Sequence, residues 1–521
     1  MHALKDFWRS KPTTCVLAVI GALVAMRVGM VIATPLEIGP DEAQYWRWSR
    51  ALDFGYYSKP PLIAWMIALS TSVLGDSEWA IRLLAPVLHG VAAFFLYLLG
   101  ARAFDRRIGA WSAAVYLLMP GVFLSSVIMS TDVVLLPASA AALYYLWRFR
   151  EEPAFSHAIL AGACVGLAML GKYAAVYLYA GIALAALIDR DMRKAMLSPA
   201  GAALLAASLV VLAPNLIWNA NNGFATVSHT ADNANLSGAG FDLSSVFTFL
   251  ADQAAVFGPV LLLVLLAGFA MIVGRKDKWT STREFWLICF IAPPLLVILA
   301  QEILSRAHAN WAASAYPAAS ILVASWIDRV FGRPTSRRPV GPWIKGGVAV
   351  NLAVGVLFSV MWVMPFIADA TGISTTMKGV RGWKETVAEL SSRATGLDAT
   401  AIMVDDRELW HGIDYYGRGQ QLPPELPPVR AWQRGSAPRS HAEEEGKMQP
   451  GEDARVLVAS SGEGLRAMIR QDFAAIEEIG YLDIPLGPTR DRQLKLYLAS
   501  GYRPAERTAE FEATYAPMRE P

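Results

Sequence analysis

The chain has 521 residues, 55% of them hydrophobic and only 17% charged, with a net charge of +2 and a mean hydropathy of +0.36. So apolar a composition excludes an ordinary soluble globule, and so small a positive balance excludes nucleic acid as a partner. The three cysteines, Cys15, Cys164 and Cys289, fall at or inside apolar runs, and their spacing suits neither a disulfide framework nor a metal site.

Taken in chain order, apolar runs of roughly bilayer length, about 20 residues, occur near 14–34, 81–101, 109–128, 132–148, 157–171, 173–188, 199–218, 256–274, 284–303, 312–330 and 346–367. The expectation is a polytopic α-helical membrane protein with about eleven transmembrane helices. The first run has a basic flank (Lys5, Arg9, Lys11) but no small-residue cleavage site, and reads as an uncleaved anchor. With the N-terminus inside, the cytoplasmic loops carry about 20 Lys and Arg, among them Arg106, Arg107, Arg275, Lys276, Arg337 and Arg338, against about five outside. An odd number of spans then sends the C-terminal segment outside.

That segment, 370–521, is polar, with a Pro-rich stretch at its centre. Short apolar runs at 400–404, 454–460 and 493–500 read as strands, with helical patterns such as WKETVAELSSR between them. A small C-terminal periplasmic α/β domain is expected, with 418–453 as a loop lacking periodicity. The organisation is a membrane module over 1–369, whose first periplasmic loop is 35–80, followed by a soluble domain over 370–521. Asp405 and Asp406 follow a predicted strand and read as a turn or helix cap.

Polar groups inside a membrane protein are costly, so their placement is informative. In this topology they gather on the outer side. The first loop holds Asp41, Glu42, Tyr56, Tyr57 and Lys59; Asp132 opens the fourth span; Lys172 and Tyr173 lie at an outer turn. Further along come the loop with His229, Asp232, Asn233 and Asn235, and then Glu302, Arg306, His308, Asn310 and Trp311. Each has a plainer reading. Asp132 also suits an N-cap, Lys172 a snorkelling lysine, and His308 beside Trp311 an interfacial belt. His89, alone on an apolar span, reads as a packed core histidine. Arg27, about 10 Å inside the first helix, needs either an acidic partner, for which Asp132 is the candidate, or a lipid phosphate.

Glycosyl transfer from a lipid-linked phosphate fits the shared side. The leaving phosphate needs a cation, which Lys59 with Lys172 or Arg306 supplies. The acceptor hydroxyl needs a carboxylate to take its proton, and Asp41 fits that role, with Glu42 beside it. Tyr56, Tyr57, Asp132, Tyr173, His229, His308, Asn310 and Trp311 would line the donor and acceptor pocket, and the lipid tail would lie between spans. A transporter or flippase for lipid-linked glycans would instead place its binding groups near the midplane. A ligase using lipid-diphosphate donors is the third alternative.

The segments PDEAQYW…GYYSKPPLIAW, TDVVLLP (131–137), GKYAAVY (171–177) and HANWAASAYP (308–317) resemble the membrane glycosyltransferases of the GT-C fold. The similar branch contains the bacterial aminoarabinose–lipid A transferase and the protein O-mannosyltransferases, and the likeness runs over most of 15–330. The resemblance implies an inverting enzyme of the bacterial inner membrane. It would move a sugar from a polyprenyl phosphate to a periplasmic acceptor, with Asp41 as base and Lys59 on the donor phosphate. In the aminoarabinose branch an acidic residue precedes the lysine. Here that position is Ser58, so a divalent metal at Asp41 and Glu42 stays open and no cofactor is certain. The extra sugar-binding repeat of eukaryotic protein mannosyltransferases is missing, which favours lipid A or lipopolysaccharide core over a protein acceptor.

Overall fold

The computed structural model describes residues 12–233, 240–274, 282–331, 340–418, 426–449, 451–461, 466–508, 510–511 and 514. Lys5, Arg9, Lys11, Asn235, Arg275, Lys276, Arg337 and Arg338 lie outside the described residues, as do the side chains of Asp232 and Asn233. The chain divides into two compact units. One comprises the described residues up to Thr34 together with Leu52–Trp362, the other Pro35–Ala51 with Val363–Pro521. This partition differs from the expected one: the acid pair of the first loop belongs to the unit of the C-terminal domain, not to the membrane module.

The first unit is helical. Among the described residues five helices are long and apolar enough to cross a membrane: Thr13–Ala33, Glu78–Ala103, Pro199–Asn221, Thr282–Leu304 and Gly346–Val363. Two bent pairs raise the number to 7, against the expected eleven or so. They are Tyr173–Ile188 with Arg190–Met196, bent by 115°, and Ser245–Phe257 with Pro259–Ala270, bent by 117°. The second bend has a local cause. Gly258 adopts φ of 102°, open to glycine at little cost, and Pro259 then starts the next helix. The expected 109–128 span is likewise two helices, Arg106–Leu117 and Pro120–Ser125. Met119 between them is extended, as a residue before proline prefers. Leu62–Leu74, expected as loop, is an apolar helix that buries Leu62, Ile63, Ala64 and Ile67.

Helix packing follows small residues. Phe155–Gly171 presents Gly162 and Gly166 to Pro199–Asn221, where a Cβ on either would collide with the Leu204 or Ser208 carbonyl. Two glycines four apart let the backbones approach. Two buried polar side chains of this unit find partners close by. His89 bonds Tyr116 Oη at 2.8 Å and Ser125 Oγ at 3.0 Å, as a packed core histidine should. Arg27 does not pair with Asp132. Its guanidinium donates to Ser126 Oγ (3.1 Å) and the Leu117 carbonyl (2.5 Å) and lies over the Phe123 ring. A backbone carbonyl freed where Arg106–Leu117 ends is a ready acceptor, so the arginine closes a helix end.

The second unit is built on a five-stranded sheet in the order β2-β1-β3-β5-β4. The strands are β1 (Ala401–Val404), β2 (Val429–Ala431), β3 (Val456–Ser460), β4 (Phe473–Gly487) and β5 (Arg490–Tyr502). β1 pairs in parallel with β2 and β3, while β5 is antiparallel to β3 and β4. Every residue of β1 and β3 is buried because both faces are covered. Ile402, Val404, Leu457 and Ala459 face Trp383, Val387, Leu409 and Ile413. Ala401, Met403, Val456 and Val458 face Trp432, Met468 and Ile469. The expected 418–453 loop contains β2 and the short helix His441–Glu445.

Candidate functional site

The helix Pro40–Ser49 carries the acid pair. Proline at its first position needs no N–H partner, and Glu42 turns back so that its Oε2 accepts from Gly39 N at 2.9 Å. That is half of a capping box. Neighbours on a helix point about 100° apart, so the two acids part company. The Asp41 side chain is 62% exposed, whereas Glu42 is 4% exposed. The expected exposed carboxylate pair is therefore a single exposed carboxylate beside a structural one. Among the described residues no three His, Cys, Asp or Glu side chains converge as metal ligands. With Glu42 engaged at its own helix start, the residues present do not fit a metal at this pair.

Partners from the C-terminal segment hold this helix. Glu37 accepts from Trp383 N (2.6 Å) and Lys384 N (2.9 Å), capping the helix Trp383–Gly396, and Tyr416 Oη accepts from Ile38 N at 2.7 Å. Trp46 meets Tyr415 edge-on at 5.1 Å, and Trp48 meets His441 at 5.6 Å. Arg47 lies 3.1 Å from Glu445 and 3.6 Å from Asp414. The helix Arg407–Tyr416 starts at the Asp406 cap, whose carboxylate accepts from Glu408 N at 2.7 Å, as the sequence predicts. Its first residue reaches back: Arg407 Nη1 lies 3.3 Å from Asp41 Oδ1 and 3.1 Å from Gln44 Oε1. Burial alone would lower the Arg407 pKa, but Asp41 and Glu408 raise it above the usual value.

His411, on the helix Arg407–Tyr416, stacks on His441 at 5.8 Å, and among the described residues neither of its ring nitrogens has a hydrogen-bond partner. Burial, then the fields of His441, Arg407 and Arg47, pushes the His411 pKa well below 6.5. The unfolded chain therefore takes up a proton below pH 6.5 that the folded one refuses, and stability falls as pH falls through that value. The slope is at most about 1.4 kcal/mol per pH unit. The unfolding temperature of this unit should fall from pH 7.5 to 5.5, and less steeply in His411→Phe. Equal slopes in the two proteins would refute the assignment.

The other site residues belong to the helical unit. Tyr56 N donates to the Lys59 carbonyl at 3.1 Å, closing a turn before Pro60 and Pro61, and Asp53 N donates to Tyr56 Oη at 3.1 Å. Burial pushes the Tyr56 phenol up to about 12, so it stays protonated. Pro61 caps Leu62–Leu74, which leaves Lys59 half-buried at the mouth of that helix. Residues of the next polar stretch clamp the turn. Asn215 donates to the Phe54 carbonyl (2.7 Å), Trp218 Nε1 to Asp53 Oδ2 (2.6 Å) and Thr226 to the Tyr56 carbonyl (2.7 Å). Tyr57 lies against His229 at 5.6 Å.

Asp132 is one residue inside the helix Thr131–Glu151, whose N-cap is Ser130, so it is not a cap. Its Oδ1 receives Lys172 Nζ at 2.8 Å and its Oδ2 receives Asn310 Nδ2 at 2.6 Å. The two charged side chains are 7% and 17% exposed, so Lys172 is paired rather than snorkelling. Tyr173 donates to Asn215 Oδ1 (2.8 Å) and accepts from Asn219 (3.0 Å), linking the Lys172 turn to the Lys59 turn. Asp132, Lys172 and Asn310 thus come together, as do Tyr173 with Asn215 and Asn219, Tyr57 with His229, and His308 with Trp311 at 5.2 Å. Arg306 is exposed and bonds through its carbonyl to Gln301, outside the Asp132 group. Sequence reasoning missed Asp53, Asn215, Trp218 and Arg407. An amide inside an apolar span was the available signal for Asn215.

Residues 58–218 match the family described as dolichyl-phosphate-mannose-protein mannosyltransferase. The chain is 34% identical over 458 residues to the lipid A galacturonosyltransferase RgtD of Rhizobium johnstonii, covering 87% of this chain and 91% of that one. It is 26% identical over 294 residues to the lipopolysaccharide core galacturonosyltransferase RgtB of the same organism, covering 54% and 59%. The crystal structure of ArnT from Cupriavidus metallidurans bound to undecaprenyl phosphate shares the fold, with a TM-score of 0.60 at 14% identity, over 93% of this chain and 98% of that one.

Proposed function

Since the chain belongs to the GT-C membrane glycosyltransferases, the family of the Rhizobium lipid A galacturonosyltransferase, we propose that it transfers a uronic acid from a polyprenyl monophosphate to lipid A. The near end-to-end likeness to that relative carries the reading. The acceptor hydroxyl attacks the anomeric carbon and passes its proton to Asp41. The bond from that carbon to the phosphate oxygen breaks, and the electron pair leaves with the polyprenyl phosphate. Attack opposite the leaving group inverts the centre. Lys59, with Lys172 or Arg306, neutralises the phosphate as it departs. The excess of Lys and Arg in the expected cytoplasmic loops supports the periplasmic face of the inner membrane as the place of this chemistry.

Purified protein given polyprenyl-phosphate galacturonate and lipid A should yield lipid A carrying one added uronate by mass spectrometry. Turnover of a polyprenyl-diphosphate donor alone, or modification of a peptide instead of lipid A, would overturn the reading. Lys59→Ala should raise the KM for the donor more than that for lipid A, and Lys59→Arg should recover part of the loss, since charge is kept but geometry changes. An effect confined to the acceptor would reassign Lys59.

A further inference from the structure

We propose that Arg407, from the C-terminal domain, is a positioning residue for Asp41, so that the soluble unit contributes to the transfer step itself. This rests on the reading of Asp41 as the base. Asp41 and Gln44 are three apart on one helix and share a face, and Arg407 grips both, at 3.3 and 3.1 Å. The guanidinium engages Oδ1 of Asp41, which leaves Oδ2 as the oxygen to receive the acceptor proton. An otherwise exposed aspartate would sample several rotamers; this contact selects one.

The placement of Arg407 is fixed from several directions. It lies just beyond the turn that follows β1, where Asp405 accepts from Ser460 Oγ (2.5 Å) and Ser461 N (3.0 Å), and Asp406 caps the helix that Arg407 begins. This is the carboxyl end of a parallel strand pair, the edge at which open α/β sheets present functional groups. Trp46 against Tyr415 and Arg47 against Asp414 hold the two helices in register behind the pair. Arg407 itself remains 45% exposed, so it can respond to a substrate at Asp41.

The test is a cycle of full-length variants assayed in single turnover. Arg407→Ala should slow transfer by about fivefold, as expected for a partly exposed ion pair, with the donor KM unchanged. Arg407→Lys should restore part of the rate. Arg407→Ala should have no further effect in the Asp41→Asn background, because a residue that acts through Asp41 has nothing left to position. Arg407→Gln, which keeps most of the side chain, serves in place of Arg407→Ala if thermal unfolding shows the latter to be misfolded. A wild-type rate in the folded variant, or a loss that adds fully to that of Asp41→Asn, overturns the positioning role while leaving Asp41 as base. Near-normal turnover in Asp41→Asn alone overturns both.

Discussion

Asp41→Asn should cut turnover by about 10² or more, the usual size of a general acid–base contribution, without loss of the fold. The substitution is nearly isosteric and the side chain is exposed, so the helix Pro40–Ser49 keeps its packing through Trp46, Trp48 and Arg47. What disappears is the oxygen that can hold the acceptor proton. Glu42→Gln should behave differently. Its Oε2 accepts from Gly39 N, a bond that an amide oxygen can also accept, so the variant should stay within a few-fold of normal. Rates measured side by side with saturating donor decide the matter. Equal losses at the two positions would restore the acid pair as a unit, and an active Asp41→Asn would remove the base from this helix.

Asp132→Ala should be severely destabilising. It leaves Lys172 and Asn310 facing each other without the carboxylate that serves both. Breaking a buried ion pair by removing one partner costs about 3–5 kcal/mol, and here the lower end applies because Lys172 retains some solvent access. The expected result is a clearly lower unfolding temperature in detergent and poor membrane yield. The double variant Asp132→Leu/Lys172→Met should recover most of that stability, since an apolar pair of similar bulk avoids the stranded charge. If the pair also serves the donor, the recovered protein will remain inactive. A stable and active double variant would show that the pair is structural only.

Much of this protein is legible in its sequence because each trait rests on local chemistry. Apolar runs declare helices, and Asp406 after a strand declares a cap. Lys59 before two prolines marks a turn whose backbone bond to Tyr56 is visible in the structure. Two kinds of feature were not legible. Breaks inside apolar runs depend on single residues, such as Gly258 with its positive φ and Met119 extended before Pro120, and hydropathy averages over them. Partners distant in sequence carry no periodic signal. Nothing about Asp132 in sequence says whether Arg27 or Lys172 will meet it, since both are cations near its depth. The pairing of Arg407 with Asp41 was equally invisible, because it depends on how 35–51 folds with a segment beginning more than 300 residues later.

That separation has a consequence for biosynthesis. Asp41 and Arg407 are 366 residues apart, an interval that takes roughly 20–70 s to translate at about 5–20 residues per second. During that time the helix Pro40–Ser49 exists without Trp383, Tyr415 or His441, and a ten-residue helix has little stability of its own. The aspartate on it becomes ordered only when the last part of the chain has been made and folded. Under the role proposed for Asp41, a chain cut before residue 407 would therefore be inserted yet lack an ordered base. Transfer would wait on a helix made long after the one it serves.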